Sequence, residues 1–595
     1  MAWTSLLVAL ASGTAWLFVE ASSVSGQPIA TVLPSGVLAI DLTQTQFGQV
    51  WALRGALVIV LAACLLVRGR GRKLAGWIGL VTSAALTVSL AWAGHAAATE
   101  GLPWEWLHLP ADLLHLLATG AWLGGLVPLA LLLTHARSDG GAEALSVART
   151  ATLRFSTLGI TCVATLIVTG IINTWFLSGS IPALVGTLYG QLLLLKVALF
   201  AGIIALANVN RSRLVPELGA AASDAALRLR AVGRVSRNAL SEAGAGVLVI
   251  AIVGVIGTLP PGLHTEPRWP FPFRIDLNEI AIGTQSVLDV ATVLFVLSLV
   301  ALAIAADRKR YRTMAALVAA VVLCGAAGAT VLAPGIVPAY PTTYYAPTQP
   351  YAAPSISRGM PLYAANCIEC HGAGGRGDGP LAGKLPIRPA DLTQPHLFAH
   401  SVGDIFWWVS TGRANGVMPG FADKLTPDQR WDLINFVLAR TAGVISDATS
   451  SQISTAAAPP LPDFAFEQGG AQNTLRQSLK NGPVLLVLFS PQAPLARLAR
   501  LQAAGVHAIA VDMGATAKTA LIVGASDDVR ATLALFRSPN DGGETELLLD
   551  RNASVRARWT ASGAGGLADT ATLQADTERV ARIPVPAANH AGHAN

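Results

Sequence analysis

Charge is scarce in this chain. Only 13% of its 595 residues are Asp, Glu, Lys or Arg, against 52% hydrophobic, and the mean hydropathy is +0.52. An ordinary soluble protein of this size is excluded. Methionine is scarcer still, with five residues, and only Met314 lies in a long apolar run after the initiator. A methionine ladder for monovalent copper is therefore excluded. Cysteine is also limited to five residues: Cys64, Cys162 and Cys324 stand singly in separate apolar runs, and none follows Cys370. Isolated buried cysteines behave as small hydrophobes, and beyond residue 370 thiol chemistry is excluded. Histidine within the apolar runs is limited to His95, His115 and the boundary residue His135. A wire of two haems across a bilayer wants pairs at both depths, and the inner depth has none.

What is abundant is apolar length. Runs long enough to cross a bilayer fall at about 2–19, 50–67, 74–96, 111–134, 155–178, 189–209, 240–259, 284–305 and 313–334, nine spans within residues 1–335. The first run lacks a basic leader, and Glu20-Ala21-Ser22-Ser23 has the look of a cleavage site. We read it as a helix; its removal leaves the topology of the others unchanged.

Basic residues cluster in alternate loops, at Arg68–Lys73, Arg137–Arg154, Arg211–Arg237 and Arg308–Arg312. The loops 20–48, 97–110 and 179–188 have no Lys or Arg, and the loop 260–283 has only Arg268 and Arg274. By the positive-inside rule the basic loops are cytoplasmic and the ninth span emerges outside. The net charge of +6 thus reports membrane topology, and no nucleic-acid partner is expected.

The most informative run is Cys367-Ile368-Glu369-Cys370-His371. C-x-x-C-H is the spacing of covalent haem c attachment, with Cys367 and Cys370 as thioethers and His371 as proximal iron ligand. A redox C-x-x-C pair does not need the histidine, and a zinc site needs a second ligand pair nearby. Haem c is attached outside the bacterial cytoplasm, which agrees with the topology. The flanks resemble class I cytochrome c domains: Gly359 to Pro380 reads G-x-x-L-Y-x-x-N-C-x-x-C-H-G-x-x-G-x-G-D-G-P. Met418-Pro419-Gly420-Phe421 matches the family's distal-ligand loop, before a capped amphipathic helix at Thr426 to Arg440 carrying Trp431, Ile434, Phe436 and Val437. His396 and His400 compete with Met418 as distal ligand. A His/Met pair raises the potential and a His/His pair lowers it.

The membrane region resembles the copper-resistance protein D (CopD) family through most of 45–262. The matching residues are Thr45-Gln46-Phe47-Gly48, Arg54, Gly94-His95, the run His115 to Gly125, Arg154-Phe155-Ser156, Tyr189-Gly190, Lys196, Asn210-Arg211, Pro216 and Glu242. The resemblance implies a role in copper handling at or across the inner membrane. Ionisable groups inside a bilayer are costly and mark functional positions. Spans three and four are antiparallel neighbours, so His95 and His115 can face each other at the outer depth, with His108 in the short loop between them. Haem b, copper or a structural hydrogen bond all suit such a pair. Gly94, Gly120, Gly124 and Gly125 give close packing or room for a flat cofactor. Lys196 and Glu242 are expected to pair or line a polar cavity, and Arg54 to snorkel outward.

A Pro/Tyr-rich segment, 336–357, reads as an extended, semi-rigid tether that lets the cytochrome domain reorient. The cytochrome domain then covers 358–442, a second linker 443–459, an α/β domain 460–585, and a tail with His590 and His593 the last residues, 586–595. The α/β domain opens Pro462 to Phe466 and Gly482 to Ser490. It resembles thioredoxin-like and peroxiredoxin-like domains, and the copper chaperones of oxidase assembly. Ser490-Pro491-Gln492-Ala493-Pro494 stands where the family's cysteines belong, so a docking or scaffold role is expected.

The fold class is therefore multi-domain: an α-helical polytopic membrane bundle, an all-α cytochrome c domain and a degenerate α/β thioredoxin-like domain. The expected function is electron transfer through haem c at the periplasmic face of a bacterial inner membrane, linked to copper homeostasis or copper-enzyme maturation. Copper reduction and quinol oxidation both fit. Copper transport with an attached redox domain, and a non-catalytic assembly factor for a copper enzyme, are the alternatives. The partners are the lipid bilayer, a periplasmic redox or copper protein, and quinol.

Overall fold

Among the described residues, seven helices are long and apolar enough to cross a membrane: Ala2–Ser25, Gln46–Leu66, Gly69–Ala93, Glu105–Asp139, Ala142–Ser178, Leu188–Glu217 and Leu229–Ile256. They coincide with the first seven runs read from the sequence. The computed structural model describes residues 2–94, 104–220, 225–276, 290, 292–299, 301–302, 311–455, 459–490, 492, 494–514, 521–538, 540–563 and 566–584. Half of the eighth run, 284–305, lies outside the described residues. The ninth falls on the helix Tyr311–Leu332. The chain divides into two compact units, Met1–Pro267 and Arg268–Asn595.

In the first unit the fourth, fifth and seventh spans pack most extensively, the sixth lies on the seventh and the second on the third. Leu7, Ile59, Trp77, Ile171 and Val247 point outward and are exposed, as a lipid solvent permits. Trp122, Leu126, Ala130, Leu133 and Ala136 fill the interior. Gly125 serves packing: a Cβ there would lie 2.6 Å from the Phe155 ring. No flat ligand is needed to explain that glycine.

In the second unit, β1 (Phe273–Ile275) pairs antiparallel with β2 (Ile336–Pro338). The Pro/Tyr-rich segment that follows is not a solvated tether. The Thr342 hydroxyl donates to the Gly403 carbonyl at 2.6 Å, Ser401 Oγ donates to the Thr343 carbonyl at 2.9 Å, and Thr343 Oγ1 donates to Asp404. Tyr340, Tyr345 and Tyr351 pack against the apolar core of the cytochrome region. Proline keeps the segment out of helix and ladder, but its tyrosines find buried area, and that holds it down.

The cytochrome region is built on a crossing of two helices, Ala353–Asn366 and Pro427–Asp447. Gly359 sits at the crossing, where a Cβ would meet the Asp432 carbonyl and lie 2.7 Å from Phe436 Cβ. The second helix starts with a full capping box, Thr426 with Gln429, and reaches Asp447, beyond the Arg440 end read from the sequence.

Beyond it, β3 (Ala465–Gln468) and β4 (Ala471–Thr474) form a hairpin. A four-stranded sheet has the order β6-β5-β7-β8, with β5 Val484–Phe489, β6 Ala508–Asp512, β7 Glu544–Leu549 and β8 Val555–Thr560. β5 and β6 are parallel; β7 and β8 run antiparallel. Every residue of β5 is buried, because helices cover both faces. Leu486 and Leu488 join one core with Val529 and Leu533. Leu485, Val487 and Phe489 join the other with Leu498, Leu501 and Leu573. The residues thus alternate between faces, as the pleat dictates.

Candidate functional site

Cys367 caps the helix Ala353–Asn366, and Cys370 and His371 lie on the single turn that follows, Ile368–His371. The His371 and Cys370 amides both donate to the Cys367 carbonyl, at 2.8 and 3.2 Å. That turn puts the thiols and the imidazole on one short arc. His371 Nδ1 is 3.0 Å from the Ala390 carbonyl. A carbonyl only accepts, so the proton sits on Nδ1 and Nε2 keeps its lone pair. Burial holds His371 below the usual imidazole value, against the opposing pull of that carbonyl. Burial, then the Cys370 thiol, push Cys367 up to about 11. Gly377 closes the loop with φ +69°, its amide donating to the His371 carbonyl at 3.0 Å. The Tyr363 hydroxyl donates to the Gly372 carbonyl at 2.9 Å and pins the next turn.

Met418 ends a tight loop. Its amide and carbonyl pair with those of Arg413, at 3.2 and 3.0 Å, and Ala414 and Asn415 take positive φ between them. Its side chain joins Cys367, Ile368 and Met360 against the apolar cluster of Tyr363, Phe421, Trp431 and Phe436. The structure therefore brings Met418 and Cys367 to one core. His396 lies within the turn Pro395–Ala399 and His400 follows it. Their ring centres are 6.1 Å apart, and the His400 ring stands edge-on to Trp408 at 4.8 Å. Among the described residues, Trp408 Nε1, Arg430 Nε and Arg440 Nη1 are buried without a hydrogen-bond partner.

In the membrane unit, His95 lies outside the described residues, so its facing toward His115 is not shown. His115 Nδ1 is 2.9 Å from Thr169 Oγ1 on the fifth span. His108 does not sit in a loop. It is the first residue of the helix His108–Asp139, buried, with its ring stacked on Phe176 at 4.7 Å. Asp112, which the sequence reading passed over, accepts from Asn173 Nδ2 at 3.1 Å and lies within electrostatic range of Lys196. The expected pairing of Lys196 with Glu242 is replaced. Glu242 accepts from Asn210 Nδ2 at 2.7 Å, and Asn210 Oδ1 from Asn238. Arg54 donates to the Leu86 carbonyl and to Ser89 Oγ, both at 2.8 Å. Cys64, Cys162 and Cys324 are free and lie on separate helices. His590 and His593 lie outside the described residues.

Comparison with known proteins follows these two regions. Residues 149–256 match the family model Copper resistance protein D, and residues 1–106 match Copper resistance protein D-like, N-terminal domain. Residues 354–437 match Cytochrome C oxidase, cbb3-type, subunit III, a cytochrome c domain that implies covalent haem c. The chain is similar to Copper resistance protein D of Pseudomonas syringae pv. tomato, 32% identical over 224 residues, which is 38% of this chain and 71% of that protein. It is also similar to Inner membrane protein YebZ of Escherichia coli K12, 29% identical over 218 residues, 37% of this chain and 70% of the relative. Copper transport protein CutJ of Bacillus subtilis 168 is 27% identical over 258 residues, 42% of this chain and 44% of the relative. No solved structure matches the chain. With most of a copper-resistance relative's length aligned to its membrane helices, the chain belongs to the copper resistance protein D family.

Proposed function

We propose that the protein is a membrane-bound c-type cytochrome that passes electrons at the periplasmic face of the inner membrane in support of copper handling. One observation carries this reading. A copper-resistance membrane domain continues, in the same chain, into a region where Cys367 and Met418 pack against one apolar core and Cys370 and His371 lie on the turn next to Cys367. These residues fit a covalently held haem. Two thiols stand on one turn, Nε2 of His371 is left to ligate, and a thioether reaches the same apolar core. The buried donors on Trp408, Arg430 and Arg440 suit the group's carboxylates. When bound, haem supplies one-electron chemistry. The Ala390 carbonyl fixes the His371 tautomer, the Arg413–Met418 pairing fixes the thioether, and the aromatic core excludes water.

Nine spans, with the outer face carrying residue 367, follow from the alternating basic loops. The C-terminal sheet, β-α-β-α-β-β-α in order with β5 central, supports a thioredoxin-like domain. Ser490 begins the segment where thiols would stand, so the domain's role is docking. A relative is named a copper transport protein, which supports transport as the second reading. Against it, the outer polar cluster of the membrane unit holds Lys196 beside Asp112 and His115, a poor environment for a cation.

Haem staining on a denaturing gel tests the proposal. Cys367→Ala with Cys370→Ala should abolish covalent haem, and electron exchange with a soluble acceptor should vanish with it. Persistent staining in the double variant would sink the assignment.

A further inference from the structure

The cytochrome region carries a second pair of imidazoles that the haem set does not use. His396 lies within the 3₁₀ turn Pro395–Ala399 and His400 immediately follows it. Their ring centres stand 6.1 Å apart with the planes at 86°. Two imidazoles sharing one ion, each nitrogen about 2 Å from it, hold their ring centres roughly 5 Å apart in a tetrahedral arrangement and about 6.4 Å apart in a linear one. The observed spacing lies toward the linear end. We propose that His396 and His400 form a surface site that holds one monovalent copper ion between their rings. The inference rests on the copper-linked reading above and names where copper meets the cytochrome region.

Packing does not explain the pair. His396 is exposed, so no core requires it. His400 is half-buried and stands edge-on to Trp408, whose ring carries the Arg413 guanidinium at 3.9 Å. One imidazole is thereby fixed and the other is free to close on an ion. Burial first, and then His396, Arg413 and Arg274, hold His400 below the usual imidazole value, with Asp404 opposing them. A neutral imidazole offers one ring-nitrogen lone pair.

The choice of metal follows from what the site lacks. Zinc wants four ligands, and among the described residues no group of three His, Cys, Asp or Glu is placed to hold a metal. A two-ligand site suits an ion that accepts two-coordination. Arg413 and Arg274 are offset by Asp404 and by Asp276, which pairs with Arg274 at 2.7 Å, so the surroundings hold no surplus of negative charge and suit a singly charged ion better than a doubly charged one. Trp408 belongs to the same aromatic core that Met418 packs against, so an ion between the imidazoles lies one ring from that core.

The test uses the full chain, haem-loaded and in detergent, titrated anaerobically with Cu(I) against a chromophoric chelator. Wild type should hold one equivalent more than His396→Asn, an exposed change that leaves the core intact. His400→Ala should lose the same equivalent, and the double variant should lose no more than either single one. Equal copper in wild type and His396→Asn overturns the site. So does unchanged copper accompanied by a shifted haem spectrum in His400→Ala, which would assign these rings to the haem. Copper binding that survives Cys367→Ala with Cys370→Ala keeps the site even where the electron-transfer reading fails.

Discussion

Single residues were legible where chemistry imposes a spacing. The proposed covalent attachment needs Cys367, Cys370 and His371 within five positions, a spacing that sequence alone displays. The Ala390 carbonyl that orients His371 was not legible, because it arrives from a loop with no local signature. Asp112 did carry a signal: it precedes His115 by three residues and so shares its helix face. Its partner Lys196 comes from another span, and only the fold joins them. Two expectations belong here. Met418→Ala should remove the sulfur–iron band at the red edge of the oxidised spectrum and lower the reduction potential, while His400→Ala leaves the band in place. For the membrane pair, Asp112→Asn or Lys196→Met alone should destabilise the detergent-solubilised protein by about 2 kcal/mol, below the range for a fully buried pair because both groups are partly exposed. The double variant should cost less than the sum of the two, as read by chemical unfolding; strict additivity would show that the two charges do not interact.

Elements were legible where their cause is local. Seven apolar helices follow from run length, and the last cytochrome helix from its Thr426 cap and periodicity. The segment after β2 was not legible, because its prolines describe what it avoids and not what it touches. Its attachment depends on Gly403, where any Cβ would collide with the Thr342 carbonyl. Gly403→Ala should therefore cost about 1–3 kcal/mol by overpacking and open residues 339–352 to limited proteolysis. Resistance equal to wild type would show that the segment is held by other contacts. A second clasp is pH-dependent. The hydrogen bond from Thr348 Oγ1, 2.6 Å from Asp428, leads the causes that hold this carboxyl below its ordinary value of 3.8. A folded value lowered in this way adds stability that is complete above pH 3.8 and is lost as pH falls through the folded value. Proteolysis of the segment should quicken over that acid window in wild type, and Asp428→Asn should remove the dependence.

At the scale of the whole second unit, the sequence suggests beads on a string, a cytochrome domain and an α/β domain with a linker between. The structure joins them. Ala353 and Ala442, on the two crossing helices, are buried in the core of the α/β region alongside Phe464, Phe466 and Leu533. The Ala353 amide donates to the Asp463 carbonyl at 2.9 Å, Ser357 Oγ donates to Asp528 at 2.6 Å, and Arg558 pairs with Asp447 at 2.8 Å. Small residues make this contact, and alanine or glycine on a helix gives no sign of a buried interface in sequence. Gly443 is the most exacting of them, since a Cβ there would meet the Leu535 carbonyl, a backbone atom that cannot rotate away. Gly443→Val should therefore wedge the two regions apart at a cost of about 1–3 kcal/mol. Hydrogen exchange on the full chain reads the consequence. If the regions fold as one cooperative body, the amides of β5 and those of the helix Ala353–Asn366 should lose protection together and by the same factor. Loss confined to the helix Asp527–Leu533 and its neighbours, with both cores unchanged, would show that the contact is a docking of independent domains.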